Sequence, residues 1–211
     1  MTGAGGVLEA ALGGRSVVVE VPAAGVEDWV AVAEVLLQEG LSAWALPPSL
    51  IDCLPEVLAL FGRRARIGVT GLVDAAGVRR AAEVGAQFLL AAVGDPSLAE
   101  AAGEVPLIPG ALTPTEIAAL ARAGAGTVLV TPSDALGMSY ARTLPPLFPE
   151  TGLVVAGRLE HYQCSMWLDA GAKAVVVSDA ILRQAGDERE GSLDEIARRA
   201  EAFRGLVSGV R

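Results

Sequence analysis

The chain has 211 residues, 52% of them hydrophobic, and a net charge of −9, so it can bury a sizeable core yet offers no electrostatic footing for a phosphate backbone. No uncharged apolar run approaches the roughly 18–20 residues of a membrane span, and the first residues lack the basic and apolar regions of a secretion signal. A cytoplasmic location is expected, with neither nucleic acid nor membrane as a partner, and Cys53 and Cys164, far apart and without C-x-x-C spacing, read as buried free thiols.

In chain order, short Val/Ile/Leu-rich runs at 16–22, 42–47, 66–72, 87–93, 105–110, 127–132, 152–157 and 173–179 read as strands. They are apolar on both faces and alternate with segments of helical period, which is the pattern of a parallel sheet. Between the first two, "VEDWVAVAEVLLQEG" places Val26, Trp29, Val30 and Ala33 on one stripe and stops at Gly40. Asp74 and Asp95 stand at expected helix starts, and Ser133 or Asp134 at another. "TPTE" at 113–116 reads as a capping box with Thr113 as N-cap, Pro114 at N1 and Glu116 at N3, and "SLDE" at 192–195 opens a final helix reaching about Arg211. The phrases "EVGAQ", "RAGAG" and "DAGAK" recur just before strands, with Gly85, Gly124 and Gly171 ending the helices. Eight such units predict a single-domain (β/α)8 barrel with a short N-terminal and a C-terminal helix. An open doubly wound sheet is the alternative, but no G-x-G-x-x-G follows the first strand.

"VPLIPGALTPTEIAALARAGAGTVLVTPSDALG" at 105–137, with "AAEVGAQFLLAA" before it and "DAGAKAVVVSDAIL" after it, resembles the class I aldolases that cleave 2-keto-3-deoxy-6-phosphogluconate or 4-hydroxy-2-oxoglutarate. The resemblance covers almost the whole chain. It implies a (β/α)8 barrel that assembles as a homotrimer, needs no cofactor, binds a small keto acid and works at the carboxyl ends of its strands. It also implies a lysine on the sixth strand as the Schiff-base nucleophile. Leu129 stands at that place, followed by Val130, Thr131 and Pro132, and leucine carries no amine. The lone lysine, Lys173, falls at the start of the eighth strand, at the opposite end of a barrel.

Other family positions change in the same direction. Ala45 stands where the resemblance implies a proton-shuttling glutamate, Ser49 where it implies a carboxylate-binding arginine, and Gly71, or Thr70 if the turn shifts, at the pocket threonine. Of the family's phosphate-binding glycine pairs only Gly157 remains; Arg158 follows it, and the eighth strand ends in Ser178 and Asp179, a carboxylate that would repel phosphate. Arg158 and Asp179 suit either an ion pair or a ligand clamp. Period-two alternation turns Thr131 inward with Leu129 and favours Trp44 outward, leaving Ala43 and Ala45 inside. Glu160, His161 and Cys164 sit too close on one helix to converge on a metal with further ligands, so no metal site is assigned. The pocket candidates are therefore Ala45, Ser49, Thr70, Gly71, Leu129, Thr131, Ser133, Gly157, Arg158, Ser178 and Asp179, with no catalytic residue among them. The functional expectation is a barrel of this family that has lost Schiff-base chemistry. The alternative is a carbon–carbon lyase without lysine, using a divalent ion at Asp95, Asp134 and Asp179.

Overall fold

The computed structural model describes residues 4–22, 26–182 and 192–207. Its strands are β1 (Val17–Glu20), β2 (Ala43–Leu46), β3 (Arg66–Leu72), β4 (Leu89–Ala91), β5 (Leu107–Ile108), β6 (Gly110–Ala111), β7 (Thr127–Val130), β8 (Gly152–Ala156) and β9 (Ala174–Val177). Every pairing is parallel, in the order β5-β4-β3-β2-β1-β9-β8-β7-β6. The two ends of that order, β5 and β6, are one stretch of chain interrupted at Pro109, so the sheet returns on itself as a barrel. A proline has no N–H for the ladder, and the expected fifth strand at 105–110 is split for that reason. Its carbonyl is still used, accepting from Leu129 N at 2.8 Å. The ring order excludes the open doubly wound sheet, and the expected sixth, seventh and eighth strands are β7, β8 and β9.

Alternation along the strands divides the apolar residues into two layers. Val18, Ala43, Ala45, Phe88, Leu90, Ile108, Leu129, Val154, Ala174 and Val176 fill the barrel, while Val17, Val19, Leu46, Ile67, Val69, Val155 and Val177 face the helices. Trp44 takes the outward course: it is fully buried, its ring meets Phe61 edge-on at 5.3 Å, and its Nε1 donates to Leu41 O at 2.7 Å. Helix α1 (Ala4–Leu12) stops the amino end of the barrel, contributing Ala11 and Leu12 to the inner layer. Arg66, the first residue of β3, holds it there by donating to the carbonyls of Ala10, Ala11 and Gln87.

The surrounding helices are α2 (Val26–Gln38), α3 (Leu54–Phe61), α4 (Ala75–Glu83), α5 (Ser97–Ala102), α6 (Pro114–Arg122), α7 (Met138–Leu147), α8 (His161–Asp169), α9 (Asp179–Leu182) and α10 (Leu193–Val207). Of the stripe expected on α2, Ala33 is buried, as is Leu36 beyond it, whereas Val30 is 37% exposed; the side chains of Val26 and Trp29 lie outside the described residues. The end of α10 expected at 208–211 also lies outside them. Gly85, Gly124 and Gly171 close α4, α6 and α8 with φ of +96°, +97° and +113°, a conformation that side-chain-bearing residues avoid.

Asp74 caps α4 by accepting from Gly77 N at 2.7 Å, and Asp95 accepts from Ser97 N at 2.8 Å. Ser133 and Asp134 do not cap: they open a 3-10 turn (Ser133–Leu136) without a side-chain bond, and Gly137 precedes α7. At α6 the capping box forms in full, with Glu116 Oε2 accepting from Thr113 N at 2.7 Å and Leu112 N at 3.0 Å. Those backbone donors, Thr113 first, hold the Glu116 carboxyl below its ordinary pKa of 4.5. A depressed acid stabilises the fold fully above its unfolded-state pKa, and the effect fades as pH falls through the native one. Wild type should therefore exceed Glu116→Gln in stability at neutral pH, and urea midpoints of the two should draw together as pH drops below 4.5.

Candidate functional site

The carboxyl ends of the strands form a shallow mouth over an apolar floor. Leu129, 2% exposed, lies between Gly110 and Val154 in register, and Ala45, Leu90 and Val176 are buried around it. Above the floor, Thr131 follows Leu129 on the inner face and its N–H donates to Ala111 O at 3.0 Å. Thr70 is buried, and since Ile67 and Val69 face the helices it shares the inner side with Gly68. This selects Thr70 over Gly71, which is exposed at φ +71°. Ser178 is partly exposed just past β9. Ser49 lies exposed in the 3-10 turn (Pro48–Cys53) after β2.

One mouth residue was absent from the sequence-derived set. Glu20, the last residue of β1, shares the inner face with Val18 and is paired in register with Ala45. Val19 pairs with Val177, so Ser178 flanks Glu20 on the other side. The signal was present in "VVVE", where a charged residue falls two positions after an inward valine.

Between β7 and β8 the rim is tightly closed. Ser133 is 1% exposed, and its Oγ is the buried side-chain polar atom without a hydrogen-bond partner among the described residues. A Cβ on Gly157 would lie 2.4 Å from Asp134 Oδ1 and 3.0 Å from Ser133 Oγ, so glycine is what lets the two loops meet. Arg158 faces Asp134: its Nε lies 4.0 Å from Asp134 Oδ2, with the arginine side chain 84% exposed. So loose a pair contributes little, which leaves the guanidinium available. The side chain of Asp179 lies outside the described residues. Between each strand's end and the following helix, Arg158 is the cation among the described residues.

The remaining polar residues disperse. Lys173 is exposed at the amino end, one residue before β9. His161 starts α8 and meets Phe203 edge-on at 5.1 Å, while Cys164 is buried on the same helix. Among the described residues no three His, Cys, Asp or Glu side chains gather as metal ligands. Burial pushes the Cys164 thiol up to about 12, whereas Cys53, expected to be buried, is partly exposed. One thiol of the native protein should therefore react promptly with a disulfide reagent and two after denaturation, with peptide mapping placing the first at Cys53.

A groove of about 420 Å³ leaves the mouth at Ala92, Gly110 and Thr131 and runs outward to α6. No helix among the described residues is long and apolar enough to cross a membrane.

A parallel barrel whose inward polar groups collect at the carboxyl ends defines a (β/α)8 protein. The family model for KDPG and KHG aldolase matches residues 8–198, and the chain belongs to that family. No curated protein matches it. Among solved structures, the KDPG aldolase of Legionella pneumophila, with pyruvate captured as a covalent carbinolamine, is 20% identical with a TM-score of 0.77, over 94% of this chain and 97% of that one. The 2-keto-3-deoxy-6-phosphogluconate aldolase of Zymomonas mobilis is 17% identical with a TM-score of 0.74, over 97% and 96%. A designed cube-shaped cage made by fusing symmetric oligomeric domains is 21% identical with a TM-score of 0.77, over 90% and 71%.

Proposed function

We propose that this chain is a KDPG/KHG-aldolase-family barrel that has given up Schiff-base catalysis and retains a mouth for a small 2-keto acid. The observation that carries it is Leu129, buried on the inner face where the family resemblance implies the reactive lysine, with Lys173 at the other end of the barrel. Arg158 supplies the charge for a carboxylate, and the hydroxyls of Thr131 and Ser178 the donors for a carbonyl. The Asp134 carboxylate beside Arg158 works against further negative charge: two unit charges about 5 Å apart repel by about 3 kcal/mol at an effective dielectric of 20. A phosphorylated ligand is thereby disfavoured. Thr70 and Ser133, with Ala45, Gly157 and the more distant Ser49, complete the proposed surroundings of the ligand.

The protein is proposed to act as one domain in the cytoplasm, as a homotrimer; the likeness to a symmetric oligomeric domain supports the oligomer. The second reading is a lyase that works without lysine, favoured by Glu20, a carboxylate at the mouth able to move a proton. Pyruvate titrated into the protein, followed by borohydride and mass spectrometry, separates the two. Binding without a covalent adduct or retro-aldol turnover supports the first reading, and turnover that responds to Mg²⁺ and stops with chelator supports the second.

A further inference from the structure

We propose that the groove between the β4 loop and α6 is a slot for an uncharged aliphatic tail, so that the ligand is a 2-oxo acid with an apolar chain, not a phosphorylated polyol. The inference rests on the keto-acid reading and adds the substrate class.

The slot arises from the split strand. β4 pairs with β5 only at Leu89↔Leu107 and Leu90↔Ile108, and β6 pairs with β7. Past Ile108 the seam is held by Gly110 N donating to Val93 O at 3.2 Å. Val93 and Gly110 of that bond line the groove, together with Glu116, Ala119 and Leu120 of α6. At about 420 Å³ it falls within the range of small-molecule sites, roughly 300–1,000 Å³. Thr131, at the mouth, also belongs to its lining.

The walls decide what fits. Val93, Pro96, Leu112, Ala119, Leu120 and Ala123 present hydrocarbon. Thr131 and Glu116 are the polar side chains of the lining, and no lysine or arginine belongs to it. Glu116 Oε2 is committed to Leu112 N, Thr113 N and Thr113 Oγ at 3.0, 2.7 and 2.9 Å. It is a fixed negative charge at the groove's edge, opposed to a phosphate, and its bonds are already spent. The hydroxyls of a polyol would lose water without gaining partners. Methylene groups lose nothing there, and each one buried should tighten binding about three- to fourfold.

The test is the dissociation constants of pyruvate, 2-oxobutyrate, 2-oxohexanoate, 2-oxooctanoate and octanol for the full-length protein and for Ala119→Trp. Ala119 is exposed on α6, so the indole fills the groove without entering the core. The expected result is a three- to fourfold gain per methylene, abolished in Ala119→Trp while pyruvate binding is unchanged. Pyruvate binding with a flat series overturns the slot and leaves the keto-acid reading standing. Octanol binding that Ala119→Trp removes, with no pyruvate binding, supports the slot and defeats the keto-acid head. No binding of any probe overturns both. A change of oligomeric state in Ala119→Trp on light scattering assigns the groove to contact between copies and overturns the slot.

Discussion

Phe88→Ala is expected to lower the unfolding free energy by about 3–5 kcal/mol, the usual cost of deleting a buried aromatic ring. Phe88 is fully buried inside the barrel, where its neighbours in the inner layer include Ala11, Ala43, Ala45 and Ala174. One large ring among small side chains is how that layer reaches close packing, and small residues cannot spread to fill the space it leaves. Across the β3–β4 pair, Gly68 makes room for it: a Cβ there would lie 2.6 Å from ring atoms and 2.4 Å from the Phe88 carbonyl oxygen. Gly68→Ala should therefore also destabilise, by about 1–3 kcal/mol. Removing the ring should not rescue it, because the closer atom is backbone. Urea unfolding at constant m-value measures both effects. A loss below about 1 kcal/mol for Phe88→Ala would mean that the interior collapses freely into the space the ring leaves.

Wild-type protein incubated with pyruvate and borohydride should carry no covalent adduct, whereas Leu129→Lys should acquire one at residue 129. The position is 2% exposed and flanked by Gly110 and Val154. Desolvation there disfavours the ammonium form and leaves a neutral, nucleophilic amine. The same burial makes the substitution costly, on the order of 3 kcal/mol, so folding of the variant should be checked by circular dichroism before its chemistry is read. A wild-type adduct on Lys173 would defeat the proposed function, since it would place the reactive centre at the opposite end. A folded Leu129→Lys without adduct would show that the mouth no longer admits a keto acid as far as this floor.

The barrel was legible because two signals agree. Strands apolar on both faces require cover on both sides, and the glycines at 85, 124 and 171 mark where each helix hands over to the next strand. Trp44 could be turned outward from alternation alone, and the α6 capping box needed no tertiary information. What the chain's spacing left unread depends on neighbours distant in sequence. The split of 105–110 reflects Pro109 meeting the seam. Arg158 faces Asp134 because Gly157 lets the β7 and β8 loops close together, which spacing along the chain does not reveal. Ser133 had the composition of a cap but lies in a 3-10 turn, where its hydroxyl is buried instead. Glu20 was readable by period two. The family resemblance points to Ala45 on the adjacent strand and is silent on Glu20, its partner in register.

The sheet keeps the barrel's filling apart from the layer beneath the helices, with Leu129 and Phe88 in one cluster and Trp44, Ile67 and Leu36 in the other. Energies of residues that share no contacts sum, while those of touching residues couple. The interior can therefore change its chemistry as a module of its own. Exchanging a reactive floor for an inert one requires adjustment among a few facing side chains of the inner layer. A fold organised in this way can set one reaction aside and take on another without losing its shape.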